Sequence, residues 1–258
     1  VSRVSFITVI TRWFALCLSL VGVQALAGHA PVSDGVVLLG TGTSNRYIVV
    51  GGSPFYIPPA QWSVYSSATL VSTPQATIDS YEKVPRDGTL MRQYNIPGTV
   101  YVVVDRWFWR IPTTTELDYW DGPLGFTPIQ DLPNSGWAAN FHDYAYKALV
   151  QERTGGTTYL WIAGAKYPVT NPSDLAYYGG SGAVKYVPVG TLADYTHVPW
   201  CGAVFRERSS STTYLIGLDL TNPSSPMYKS ATSIPEHGAV PDGSLSPFSD
   251  HSSLACVW

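Results

Sequence analysis

Residues 85–92 read Pro-Arg-Asp-Gly-Thr-Leu-Met-Arg, residues 100–104 read Val-Tyr-Val-Val-Val, and residues 108–112 read Phe-Trp-Arg-Ile-Pro. Proline presets φ and the following Asp-Gly accepts a positive φ, so the first stretch opens on a tight turn and runs into a short strand. The β-branched run is a second strand, apolar enough to be buried on both faces. The aromatic run is a third, stopped by Pro112 because proline cannot donate to a ladder.

The pattern recurs. Its opening returns at 31–39, 199–206 and 241–245, with a worn copy at 146–151. The Tyr-led strand returns at 46–50, 158–162 and 213–217, and a looser copy at 253–257. Tyr47 and Tyr101 are 54 residues apart; the next intervals, to Tyr159, Tyr214 and Leu254, are 58, 55 and 40. A second register agrees: 77–85 and 191–199 share Thr, an aliphatic residue, Tyr and Val-Pro at identical offsets. A period of this size marks a repeat architecture. Each unit adds an aromatic third strand (55–57, 108–111, 166–169) and a polar-aromatic stretch holding one or two helical turns, which Asn171 or Ser173 can N-cap. A last strand such as 183–187 closes it. The predicted fold is all-β, with units beginning near residues 34, 87, 146, 201 and 242 in one domain, 28–258. A unit of four strands is the size of a propeller blade, so a five-bladed β-propeller with short helical turns is expected; an open stack of β units is the alternative.

Composition agrees. Only 13% of the 258 residues are charged, 13% are aromatic, and 23 Gly with 20 Pro supply turns; short strands and tight loops suit this, helical bundles do not. A net charge of −3 gives no basic surface for nucleic acid. Arg3 and Arg12, the apolar run 13–23 and Ala25-Leu26-Ala27 have the form of a signal peptide cleaved after Ala27; Arg12 argues against an uncleaved anchor. Export to the outside or the cell surface is expected, with no membrane span after cleavage. Cleavage would remove Cys17 and leave Cys201 and Cys256, which in an exported protein read as one disulfide.

The unit resembles a repeat of exported bacterial proteins, notably of actinobacteria, whose form is Asp-Gly-Thr-Leu-Ile/Val-Arg, a turn, Val-Tyr-Val-Ile-x-x-Gly-Gly-Ala, and an aromatic strand ending Ile-Pro or Val-Ser. Asp87 to Arg92, Val100 to Val104 and Phe108 to Pro112 match it best; Tyr47 to Pro58 follow. The resemblance implies non-catalytic modules of surface or wall-associated proteins, some beside wall-hydrolase domains.

Motifs that carry chemistry are few. Gly179-Gly180-Ser181-Gly182 lacks the nucleophile-elbow spacing, and Gly40-Thr41-Gly42-Thr43-Ser44 lacks the Gly-Lys of a phosphate loop; both read as turns. His142-Asp143 are adjacent, and neighbours on a strand point apart. No His or Cys spacing suits a metal, and no cofactor is expected. Asp34, Asp87 and Asp242 recur at the opening turn, which suits turn caps better than calcium ligands. Glu116, Asp118 and Asp121 could pair as acid and base in a glycosidase, but nothing else in the sequence supports that, and a solvated loop is their default.

Aromatics are the better lead. Most of Trp62, Trp107, Trp109, Trp120, Trp137 and Trp161 are expected in the core. Those flanked by polar residues after each third strand are candidate ligand-binding residues: Trp62, Tyr65, Tyr119, Trp120, Tyr177 and Tyr178. A flat ring beside Asp, Gln or Asn can stack on a sugar while its neighbour bonds hydroxyls. The expected partner is a cell-wall or surface glycan such as peptidoglycan; a surface protein is the alternative.

Overall fold

The computed structural model describes residues 28–121, 129–134, 141, 144–218, 227–252, 254 and 256. The expected signal peptide, Trp137, His142 and Asp143 lie outside them. Four four-stranded sheets follow one another along the chain. The first holds β1 (Val37–Thr41), β2 (Arg46–Val50), β3 (Ser53–Ile57) and β4 (Leu70–Pro74). The second holds β5 (Leu90–Gln93), β6 (Val100–Val104), β7 (Trp107–Ile111) and β8 (Gln130–Leu132). The third holds β9 (Lys147–Glu152), β10 (Tyr159–Ile162), β11 (Ala165–Pro168) and β12 (Val184–Val187), and the fourth β13 (Val204–Glu207), β14 (Thr213–Gly217), β15 (Tyr228–Thr232) and β16 (Gly238–Val240).

Every sheet has the same order. Three strands form an antiparallel meander, and the fourth returns to pair parallel with the first, giving β3-β2-β1-β4 and its equivalents. A parallel return needs a crossover, supplied in the first three units by a 3-10 helix at Pro59–Tyr65, by α2 (Thr114–Asp121) and by α3 (Pro172–Tyr177). A shorter helix, α1 (Gln75–Asp79), follows β4.

The opening turn repeats in the first, second and fourth units. The N–H groups of Gly35, Gly88 and Gly202 donate to the carbonyls of Val49, Val103 and Ile216 at 2.7–2.8 Å. Asp34 accepts from Gly52 N–H at 3.0 Å, and Asp87 from Arg106 N–H at 3.5 Å. Asp34 and Asp87 are therefore caps on the tight turn between second and third strands, whereas Asp242 accepts from Ser209 N–H at 2.8 Å, between the first and second strands of the fourth sheet. In the turn between second and third strands both central residues have positive φ: Gly51 and Gly52, Asp105 and Arg106, Ala163 and Gly164. This is the type I′ geometry that matches strand twist.

Alternation sets how sheets stack. One face of the first sheet, with Val37, Ile48 and Val50, shares a buried cluster with Met91 and Val103 of the second. Leu90 and Val102, on the second sheet's other face, share it with Val150 and Trp161 of the third. Leu149, Leu160 and Ile162 then meet Phe205 and Ile216 of the fourth. The order is head to tail. The first sheet's remaining face, Leu38 and Val49, clusters with Ala30, Val32, Ile78 and Tyr81.

The expected fifth unit is corrected. Pro241-Asp242-Gly243-Ser244-Leu245 follows the fourth strand of the last sheet and matches Pro188-Val189-Gly190-Thr191-Leu192 after the third. Arg153 N–H donates to Val187 O at 3.0 Å, and Arg208 N–H to Val240 O at 2.9 Å. Residues 241–245 thus close the fourth unit instead of opening a fifth. Of 253–257 only Leu254 and Cys256 are described, and the expected disulfide joins Cys201 to Cys256 with Cα atoms 5.6 Å apart.

Candidate functional site

The candidate aromatics sit on the crossover helices, and helical phase decides what each does. Counting from Pro58, Thr113 and Asn171, the third residue is Gln61, Glu116 or Asp174 and the fourth Trp62, Leu117 or Leu175. The sixth is Val64, Tyr119 or Tyr177, and the seventh Tyr65, Trp120 or Tyr178. On an α-helix such as α2 or α3, positions three, four and seven share one face, while position six lies off it. The inward face is therefore structural and the sixth position points to solvent.

The structure bears this out residue by residue. Trp120 is 7% exposed and belongs to the core, so it has no free face for a ligand; its assignment as a binding residue is corrected. Trp62 is half-buried, its indole N–H donates to Ile57 O at 3.1 Å, and the Arg46 guanidinium covers its ring at 4.2 Å. Tyr65 donates to Asp131 O at 3.2 Å, and burial with the Asp131 charge pushes its phenol pKa up. These three support the helix. Trp107, Trp109 and Trp161 are core, as expected.

Position six is different. Val64, Tyr119 and Tyr177 are 41%, 37% and 51% exposed. Tyr119 carries the Arg153 guanidinium on its ring at 3.9 Å, which occupies one face. Tyr177 meets Tyr178 edge-on at 5.0 Å, and its hydroxyl accepts from Arg206 at 3.2 Å, fixing the ring angle. Burial and the Asp174 charge push the Tyr178 phenol up, so it stays neutral. Tyr177 and Tyr178 line a cavity of about 420 Å³ with Lys147, Ala148, Leu149 and Leu160. The strands β9 and β10 supply its apolar floor, α3 its aromatic wall, and Lys147 its cation. That mix of apolar surface and few polar groups, at this size, is the form of a small-ligand site. Of the six candidates, Tyr177 and Tyr178 are the two brought together at it.

The carboxylates do something the sequence did not announce. Glu116, expected on a solvated loop, is 5% exposed and takes two hydrogen bonds from Arg153 at 2.5 and 3.0 Å, plus Val189 N–H at 3.1 Å. Burial raises its pKa, but these bonds and the Arg153 charge outweigh it and hold it below the ordinary value. Asp174 sits at the same position one unit later, with Arg208 Nε at 2.9 Å. Gln61 sits one unit earlier and accepts from Asn134 N–H at 3.1 Å. Each clamps its unit to the next. Asp118 and Asp121 are exposed. Among the described residues no group of three His, Cys, Asp or Glu can hold a metal.

The joints are completed by the type I′ turns. Arg86 N–H donates to Gly51 O at 3.0 Å, and Trp200 N–H to Ala163 O at 2.8 Å. A Cβ on Gly51 would lie 2.5 Å from Pro85 Cβ, and one on Gly164 2.2 Å from Trp200 Nε1. Glycine is needed there because the following unit's opening turn rests against the backbone.

Among the described residues no helix is long and apolar enough to cross a membrane. No family model, curated protein or solved structure matches the chain.

Proposed function

We propose that the chain is an exported, non-catalytic repeat protein that binds glycan through the groove beside α3. The observation that carries this is the cavity at Tyr177 and Tyr178: a half-exposed ring held at a fixed angle over an apolar floor, with a cation at the rim. A sugar offers an apolar ring face and a hydroxyl edge, and this groove offers a partner for each. The Cys201–Cys256 disulfide supports export, since such bonds persist in oxidising compartments. Among the described residues the buried carboxylates Glu116 and Asp174 are engaged by arginines, which favours binding over hydrolysis in this reading.

For the arrangement of units we favour the open stack over the five-bladed propeller. The first sheet's outer face clusters with Ala30, Val32, Ile78 and Tyr81, and the buried clusters run from each sheet to the next in chain order.

The test is affinity for insoluble peptidoglycan and for a glycan array, comparing the protein with Tyr177→Ala. Because Tyr177 is half exposed, the variant is expected to fold normally and to lose at least about tenfold in affinity, the worth of roughly 1.4 kcal/mol of stacking. Equal binding by both proteins overturns the groove. No saccharide binding by either, with capture of a surface protein instead, moves the reading to a protein-interaction scaffold, which the exposed row Val64, Tyr119 and Tyr177 would serve.

A further inference from the structure

We infer that the ligand of the Tyr177–Tyr178 groove is an acidic glycan, whose carboxylate or phosphate is held by Lys147; the inference rests on the glycan reading above.

Three observations meet at Lys147. The first is its isolation. Every other Lys and Arg among the described residues has a partner. Arg46 has the Trp62 ring, and Lys83 and Lys166 the carbonyls of Ile78 and Leu192. The remaining cations pair with carboxylates. Lys147 has neither carboxylate nor carbonyl within reach among the described residues. Among the described residues Lys147 is the one ammonium left unmatched.

The second is place. Lys147 lines the same cavity as Tyr177 and Tyr178. Arg206, which bonds the Tyr177 hydroxyl, brings a second positive group to that side, although Glu236 at 2.7 Å compensates it. An anion entering the groove meets the ammonium with no carboxylate among the described lining residues to repel it.

The third is the repeat. The residue corresponding to Lys147 is Gly35, Gly88 or Gly202 in the other units, where it makes the opening turn and bonds the second strand. In the third unit the Asp-Gly is lost. Lys147 instead begins β9 and pairs with Ile162, so the turn is replaced by strand and a long side chain projects where no other unit has one. The repeat gives this lysine no structural task. An ammonium is a compact point charge suited to a carboxylate or a phosphate.

Binding of the full chain would be titrated with oligogalacturonate, its methyl ester and poly(glycerol phosphate), at low and at physiological ionic strength. The acidic oligomer is expected to bind several-fold tighter than the ester, with the advantage shrinking as salt shortens the Debye length from about 30 to about 8 Å. Lys147→Gln is expected to bind the acid about fivefold more weakly and to lose most of the preference for acid over ester, and Lys147→Arg to keep most of that preference. Which of the carboxylate and phosphate polymers responds to Lys147→Gln identifies the anionic group. Equal binding of acid and ester, or acid binding indifferent to Lys147→Gln, overturns the acidic ligand and leaves the glycan reading standing. Binding of none of the three, together with no binding on the neutral glycan array, overturns both.

Discussion

Removing Glu116 is the sharpest probe of how the units are joined. Its carboxylate holds Arg153 through two hydrogen bonds and caps Val189 N–H, all from the next unit. Glu116→Ala leaves a guanidinium that is 23% exposed without its anion, and strands a backbone N–H. Breaking a buried pair from one side costs about 3–5 kcal/mol. Glu116→Gln keeps the shape and one acceptor and is expected to cost about 1.5–3 kcal/mol, the worth of a hydrogen bond to a charged group. The neutral counterpart, Gln61→Ala, loses a single bond to Asn134 N–H and is expected to cost about 1 kcal/mol. Urea unfolding measures each, with a double-mutant cycle pairing Glu116→Gln with Arg153→Met to isolate the coupling. A cost below about 1 kcal/mol for Glu116→Ala, or Gln61→Ala as damaging as Glu116→Ala, would refute the clamp.

Other expectations concern separate parts of the fold. Reducing the disulfide or making Cys201→Ser opens a loop of 55 residues and is expected to cost about 4 kcal/mol by chain entropy, with hydrogen exchange rising first in the fourth unit. Gly164→Ala, which would drive a Cβ into Trp200, is expected to destabilise by more than about 2 kcal/mol. Arg106→Gly removes a left-handed arginine at φ 65° and is expected to stabilise by about 0.5–1 kcal/mol; thermal melts decide both. Trp120→Ala is expected to cost about 3–5 kcal/mol, whereas Tyr177→Ala stays within about 0.5 kcal/mol of the parent. With pH, the depressed Glu116 contributes stability above the ordinary glutamate value of 4.5, lost as pH falls through its folded value. Burial pushes Tyr195 up to about 12, so its contribution is complete below pH 10 and disappears as pH climbs through 12. A melting temperature flat across both windows would contradict these two assignments.

The repeat was legible because turn chemistry is local. Pro-x-Asp-Gly, the Tyr-led strand and the proline after the third strand each act within a few residues, and the sheets form where those signals stand. The false fifth unit came from the same locality. A closing turn, Pro241-Asp242-Gly243, resembles an opening turn, Pro85-Arg86-Asp87-Gly88, and differs by the single residue between proline and aspartate. Only the parallel pairing of β16 with β13, a long-range fact, separates them. Trp120 and Tyr119 are equally aromatic and equally flanked by polar residues, yet one is core and the other faces solvent. The helix that carries them is too short for its phase to be read from periodicity, so burial had to come from packing against β7. Glu116 was unreadable for a related reason: its partner, Arg153, belongs to another unit, and no local pattern announces the pair. The register of the three crossover helices, aligned on Pro58, Thr113 and Asn171, does carry that signal once their starts are known.

Intrinsic tryptophan and tyrosine fluorescence during titration with peptidoglycan fragments, run on the parent protein and on Tyr177→Ala, tests the central claim most directly. Saturable binding by the parent, a signal change, and loss of both in a folded Tyr177→Ala variant is the result this account predicts. Binding that survives Tyr177→Ala unchanged, or a parent protein that binds no saccharide at any accessible concentration, would contradict it.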